Sequence, residues 1–181
     1  MYGTAGRVRD DDRKSADRLL EEVWDNSGNL VFQRAASLLV DDPKLFVGRG
    51  ADVDEDQSRV VPDCKAIVFP AANHIDAGRD LGSLADWLGY AGLPVVVWGI
   101  GTQAPDTSDA ALDHLTRTLS NEGGFRRLAT VFRRPDVFVG VRGEFTRRLL
   151  ERFDVPAVVT GCPSFLMNAQ IDLGRQLQER W

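Results

Sequence analysis

The sequence predicts an α/β fold: a parallel sheet with helices on both faces. Three observations lead there. Short apolar runs recur along the chain, helical patterns separate them, and Pro or Gly sits at many of the joins. Continuous apolar runs, unlike alternating ones, suit strands covered on both faces. Strands alternating with helices imply parallel neighbours joined by right-handed crossovers.

The elements follow in order. Residues 1–14 are rich in Asp and Arg and contain Gly3 and Gly6, so a flexible arm is expected there, followed by a single α/β domain over 15–181. Ser15 can cap a helix reaching about Trp24, because Ala16, Leu19, Leu20 and Val23 share one helical face. Asp25 to Asn29 interrupts the pattern, and a second helix is expected from about Leu30 to Val40. Strands are expected at 45–47, 66–69, 95–98, 137–139 and 157–159. Between them lie helical patterns at about Leu81–Ala91, Ser108–Ser120, Phe125–Phe132 and Gly143–Arg152, and a last helix is expected from Ser164 towards Arg180. Pro94 and Pro156 stop the preceding helices just before strands.

Composition narrows the function. A length of 181 residues suits one domain able to bury most of its apolar surface without staples. A net charge of -5 argues against a nucleic-acid binder, which needs a basic footprint. Cys64 and Cys162 form no CxxC pair, so a reducing compartment fits better than a disulfide framework. The charged N-terminus shows no signal-peptide core, and no run approaches the ~20 apolar residues of a membrane span. A cytoplasmic protein without metal or cofactor is the expectation.

In such sheets ligands bind beyond the carboxyl ends of the strands. The last four predicted strands lead into Pro70–His74, Gly99–Gln103, Gly140–Glu144 and Thr160–Ser164. Gly99-Ile100-Gly101-Thr102-Gln103 reads as a βα turn whose amides could cradle an anion, or as a tight turn that binds nothing. It is not a GxGxxG dinucleotide fingerprint, and no Walker A sequence is present. Arg142, directly after a strand, can grip a carboxylate or phosphate; a plain ion pair with Glu144 is the alternative. His74 can serve as a general acid or base, or pack locally. His114 falls on a helical pattern and reads as surface. Asp25, Asn26 and Asn29 flank Gly28, where helix capping is the simplest role. Cys162 precedes Pro163 and reads as an inert thiol rather than a site group.

Together, Asn26-Ser-Gly-Asn-Leu30, Phe69-Pro-Ala-Ala-Asn73, Pro94-Val-Val-Val-Trp-Gly-Ile-Gly-Thr-Gln103, Val139-Gly-Val-Arg-Gly143 and Val159-Thr-Gly-Cys-Pro-Ser164 resemble the polysaccharide pyruvyl transferase family from about Asp25 to Asn168. The resemblance implies a Rossmann-like sheet forming one half of a GT-B-like pair. It implies transfer of the enolpyruvyl unit of phosphoenolpyruvate onto two sugar hydroxyls, as in envelope or exopolysaccharide synthesis. The resemblance matches Arg142 to the family's arginine after a strand, and Asn26, Gly28, Asn29 and Asn73 to its Gly-Asn turn and asparagine. With the strand-end reading, His74 and Arg142 are expected to be catalytic, and Asn26, Gly28, Asn29, Asn73, Gly99, Gly101, Thr102, Gln103, Gly161 and Ser164 substrate-binding. Asn73 matches only part of the family, many members having glycines there. The sequence opens on a charged helix in place of the family's usual strand, and it stops about where the family's second domain would begin. That domain is therefore expected to be missing, a homo-oligomer or partner chain would have to supply it, and this chain alone is expected to be weak or inactive. A non-catalytic sugar- or partner-binding relative and a nucleotide-sugar glycosyltransferase half remain open alternatives.

Overall fold

The apolar runs become strands because each is rich in β-branched residues and bounded by Pro, Gly or polar residues. The computed structural model describes residues 15–22, 28–41, 64–90, 92–167 and 172–179. The strands are β1 (Ile67–Pro70), β2 (Asn73–Ile75), β3 (Val95–Thr102), β4 (Val137–Val141) and β5 (Val158–Val159). All pairings are parallel, in the order β1-β3-β4-β5, with β2 pairing the far end of β3. The helices are α1 (Ala16–Glu22), α2 (Gly28–Leu39), α3 (Leu81–Tyr90), α4 (Asp109–Ser120), α5 (Gly123–Phe132), α6 (Glu144–Glu151) and α7 (Leu173–Gln178).

Ser108 caps α4 by accepting from the Ala111 amide, and His114 lies exposed on that helix. The expected strand at 45–47 and the arm at 1–14 lie outside the described residues. The expected helix from Ser164 is different. Pro163–Leu166 forms a 3₁₀ turn, and α7 begins separately at Leu173. Pro163 opens that turn, its fixed φ suiting a first helical position.

The strand order runs in one direction, so right-handed crossovers put α3, α4, α5 and α6 on the same face. The core agrees. Ile67, Phe69, Val95, Val97 and Val139 pack with Leu88, Leu112, Leu119, Phe125, Phe132 and Leu149 in one buried cluster. Side chains alternate along β4, so Arg142 points away from Val141 and this core. Its guanidinium lies 5.7 Å from the Phe32 ring, which places α2 on the opposite face. There Phe32, Ala35 and Ala36 are buried, and α2 packs against β1 and the 3₁₀ turn. That second face is less complete than continuous apolar runs suggest. Phe138, in register with Val96, is 45% exposed, and Val158 and Val159 on the edge strand are also exposed.

Two ion pairs tie α4 to α6 at the surface: Asp109 with Arg148, and Asp113 with Arg152. The hydrogen bond from Arg148, and then its charge, holds the Asp109 carboxyl below its usual range. A depressed carboxylate stabilises the fold above its unfolded pKa of about 3.9, and loses that contribution as pH falls through the folded value. Arg148→Ala should therefore lower the urea midpoint modestly at neutral pH, and the gap from wild type should close below about pH 4. A gap unchanged by pH would assign the effect to packing of the Arg148 stem instead.

Candidate functional site at the carboxyl edge of the sheet

The site begins with two breaks in the ladders around β3. Asn73 pairs with Gly101 but Ile75 with Thr102, so β2 carries one extra residue, His74. Val97 pairs with Val139 but Ile100 with Val141, so Trp98 and Gly99 together face Gly140. Such bulges bend a strand and re-aim its side chains. Both fall in the carboxyl-terminal half of β3, one on each side of it: the β4 side breaks at Trp98–Gly99, and the β2 side at Gly101–Thr102.

Gly99 has φ +73°, a left-handed conformation that favours glycine. A Cβ there would come within 2.8 Å of Pro163 Cδ and 3.0 Å of Gly161 O. The loop after β5 thus closes directly over the bulge. At Gly101 a Cβ would collide with Asn73 Oδ1 and come within 3.2 Å of Arg142 Cδ. Asn73, Gly101 and Arg142 therefore meet at one point, with Gly99 and Gly161 beside them.

Arg142 holds the two breaks together. Its amide donates to Ile100 O at 2.9 Å. Its side-chain Nε donates to Gly99 O at 2.9 Å, and Nη2 donates to Ala71 O at 3.2 Å. The fork so spans the bulge of β3 and the gap between β1 and β2. The ion pair with Glu144 does not form; Glu144 is held by Arg147. Nη1 of Arg142 has no hydrogen-bond partner among the described residues.

His74 sits next to this clamp along the backbone. The Ala72 amide donates to His74 Nδ1 at 2.8 Å, so the neutral imidazole carries its proton on Nε2. Ala72 O accepts from the amides of Gly101 and His74 at 2.9 and 2.8 Å. The ring stands edge-on to Phe69, with centroids 5.1 Å apart.

Other expected residues take other places. The Gly99–Thr102 stretch is not a free βα turn but the end of β3, and two of its amides are occupied. Gly101 bonds Ala72 O, and Thr102 bonds Thr146 Oγ1 at 3.3 Å. These two amides already have partners within the chain, one a backbone carbonyl and one a side-chain hydroxyl. The next helix starts only at Asp109. Thr102 Oγ1 donates to Ile75 O at 2.7 Å, and Gln103 is exposed just past the strand. Gly161 N donates to Val141 O at 3.1 Å. Ser164 Oγ donates to Cys162 Sγ at 3.0 Å, and Cys162 is half-buried. Gly28 and Asn29 open α2, one turn before Phe32, while Asn26 lies outside the described residues. Among the described residues no group of three His, Cys, Asp or Glu side chains converges on a metal-sized site, and no helix is long and apolar enough to cross a membrane.

Sequence reasoning missed Ala71, Ala72 and Phe32, which position His74 and Arg142. Only backbone atoms of the two alanines act, so no side-chain signal marked them.

The model of the polysaccharide pyruvyl transferase family matches residues 7–175, nearly the whole chain. The chain belongs to the polysaccharide pyruvyl transferase family. No curated protein and no solved structure matches it significantly. The carboxyl-edge cluster of this pyruvyl transferase relative thus combines a forked cation, a tautomer-fixed imidazole and an amide side chain.

The glycine at the bulge gives a stability test. Gly99→Ala should destabilise by roughly 1–3 kcal/mol, from positive φ plus contact with Pro163 and Gly161 O. Urea unfolding measures it, and a loss under half a kilocalorie (roughly 0.5 kcal/mol) would mean the loop simply moves aside.

Proposed function

We propose that this chain takes part in moving the pyruvyl unit of phosphoenolpyruvate onto two hydroxyls of a sugar, in exopolysaccharide or envelope-polymer synthesis in the cytoplasm. Family membership supports the general class. The observation that carries the finer reading is Arg142, a half-buried guanidinium fixed at the sheet edge by Gly99 O and Ala71 O, with Nη1 unpartnered among the described residues.

The chemistry sets three demands. The methylene carbon of the donor takes a proton, and C2 is attacked by a sugar hydroxyl. Phosphate then leaves, and a second hydroxyl closes the ketal. Carboxylate and phosphate need a cation, which Arg142 supplies through Nη1. The Nε2–H tautomer fits His74 as the proton donor. In this reading the Asn73 side-chain amide is assigned to the sugar hydroxyls, and Gly28, Asn29, Gln103, Gly161 and Ser164, with Asn26 from the family motif, to further substrate contacts. Gly99, Gly101 and Thr102 shape the floor. In the GT-B-like arrangement a second α/β unit, from a further domain or another copy, faces this edge and excludes water.

Phosphate release from phosphoenolpyruvate, measured with a panel of sugar acceptors, tests the reading. Arg142→Lys keeps the charge but loses the fork, and should lower kcat/KM by about 10²–10³. His74→Gln should lower kcat by about 10²–10⁴ with little change in donor KM. Circular dichroism and melting of each variant separate these losses from unfolding. Turnover indifferent to both substitutions would remove the site from the proposal, and an absence of phosphoenolpyruvate binding would remove the donor.

A further inference from the structure

Phe165 is 80% exposed, more than any other large apolar side chain among the described residues. It is nonetheless held on a fixed support. Its amide donates to Cys162 O at 3.1 Å, and the adjoining Pro163 is buried against Gly99. The ring lies beside Gly161, where a Cβ would be 3.6 Å from Phe165 Cδ2. Gly161 O in turn closes over Gly99, the residue whose carbonyl Arg142 grips. The ring therefore stands at the rim of the carboxyl-edge cluster, anchored by a rigid turn and open to solvent.

An aromatic face is electron-rich, and an exposed one attracts groups that carry electron-poor C–H bonds on a flat apolar side. A pyranose presents such a side, with its hydroxyls projecting around the rim. Phosphoenolpyruvate, small and multiply charged, presents none. The neighbouring hydroxyls are turned inward, Ser164 Oγ to Cys162 Sγ and Thr160 Oγ1 to Val141 O, so the ring is the group of this loop that faces solvent.

We infer that Phe165 is the stacking platform for the acceptor sugar, and that it selects pyranosides with a continuous C–H face. This rests on the pyruvyl-transfer reading for the identity of the second substrate. Leu166 and Met167 are also exposed, so a protein partner covering the whole turn is the competing explanation the test must separate.

Saturation-transfer NMR on the full chain supplies the test. The probes are methyl β-D-galactopyranoside, methyl β-D-glucopyranoside and methyl β-D-mannopyranoside, with phosphoenolpyruvate titrated separately. At least one pyranoside should receive magnetisation mainly at its C–H face. Phe165→Ala should weaken its binding about three- to tenfold, the factor one aromatic contact supplies, and Phe165→Trp should restore it. Phosphoenolpyruvate binding should be the same in all three proteins. Equal pyranoside signals in wild type and Phe165→Ala overturn the inference, as does no signal from any pyranoside. A Phe165→Ala protein whose oligomeric mass falls while its sugar signal stays would assign the ring to a protein contact. Loss of phosphoenolpyruvate binding alongside intact, Phe165-dependent sugar binding would overturn the donor assignment alone.

Discussion

The fork of Arg142 is the contact on which the carboxyl edge depends. Towards its carboxyl end β3 loses regular register with β4 at Trp98–Gly99 and with β2 at Gly101–Thr102, and the carbonyls of Gly99 and of Ala71, between β1 and β2, face one side chain. A planar guanidinium on a half-buried stem reaches Gly99 O and Ala71 O together, while its own amide takes Ile100 O. Lysine, a single point donor, could reach only one of the two carbonyls. The Phe32 ring from α2 supports the cation from the opposite face. One residue thereby joins both sheet neighbours to the helix layer.

This arrangement explains why the edge is irregular where the rest of the sheet is not. The lower rows, Ile67 with Val95 and Val137, and Phe69 with Val97 and Val139, are regular and mostly buried. They form a platform sealed by α3 to α6. Above it, Gly99 and His74 each add a residue, so β2 and β3 leave the regular alternation while β4 keeps it up to Arg142. A rigid lower sheet with a bulged rim lets functional groups hold unusual orientations without loosening the core.

Much of this was legible in the residues. The strands at 67–70, 95–102, 137–141 and 158–159 follow apolar, β-branched runs, and the helices follow 3.6-residue periodicity with recognisable stops. The approach of Asn73, Gly101 and Arg142 follows the expectation that they share the carboxyl edge, although Asn73 and Gly101 lie within strands and not past them. The ends were harder to read. Polar Asn73-His74 after Pro70 reads as a loop, yet it continues the strand, because pairing with β3 outweighs local preference. Gly99 and Gly101 read as a turn for the same reason in reverse: glycine marks a bulge inside a strand as readily as its end. The backbone groups of Ala71 and Ala72 carry no sequence signature, so the way Arg142 and His74 are fixed emerges only from the fold. Ser164 as a helix start was outweighed by Pro163, which forms a short 3₁₀ turn against Gly99.

Amide hydrogen exchange in Arg142→Lys tests the clamp most directly. If the fork holds the two breaks together, exchange at the His74 and Gly101 amides, both bonded to Ala72 O, should speed up by about tenfold or more, a local loss of roughly 1.4 kcal/mol. The amides of Val95 to Val97, lower in the same strand, should keep their protection. Unchanged exchange at His74 and Gly101, or an equal acceleration along all of β3, would contradict the account.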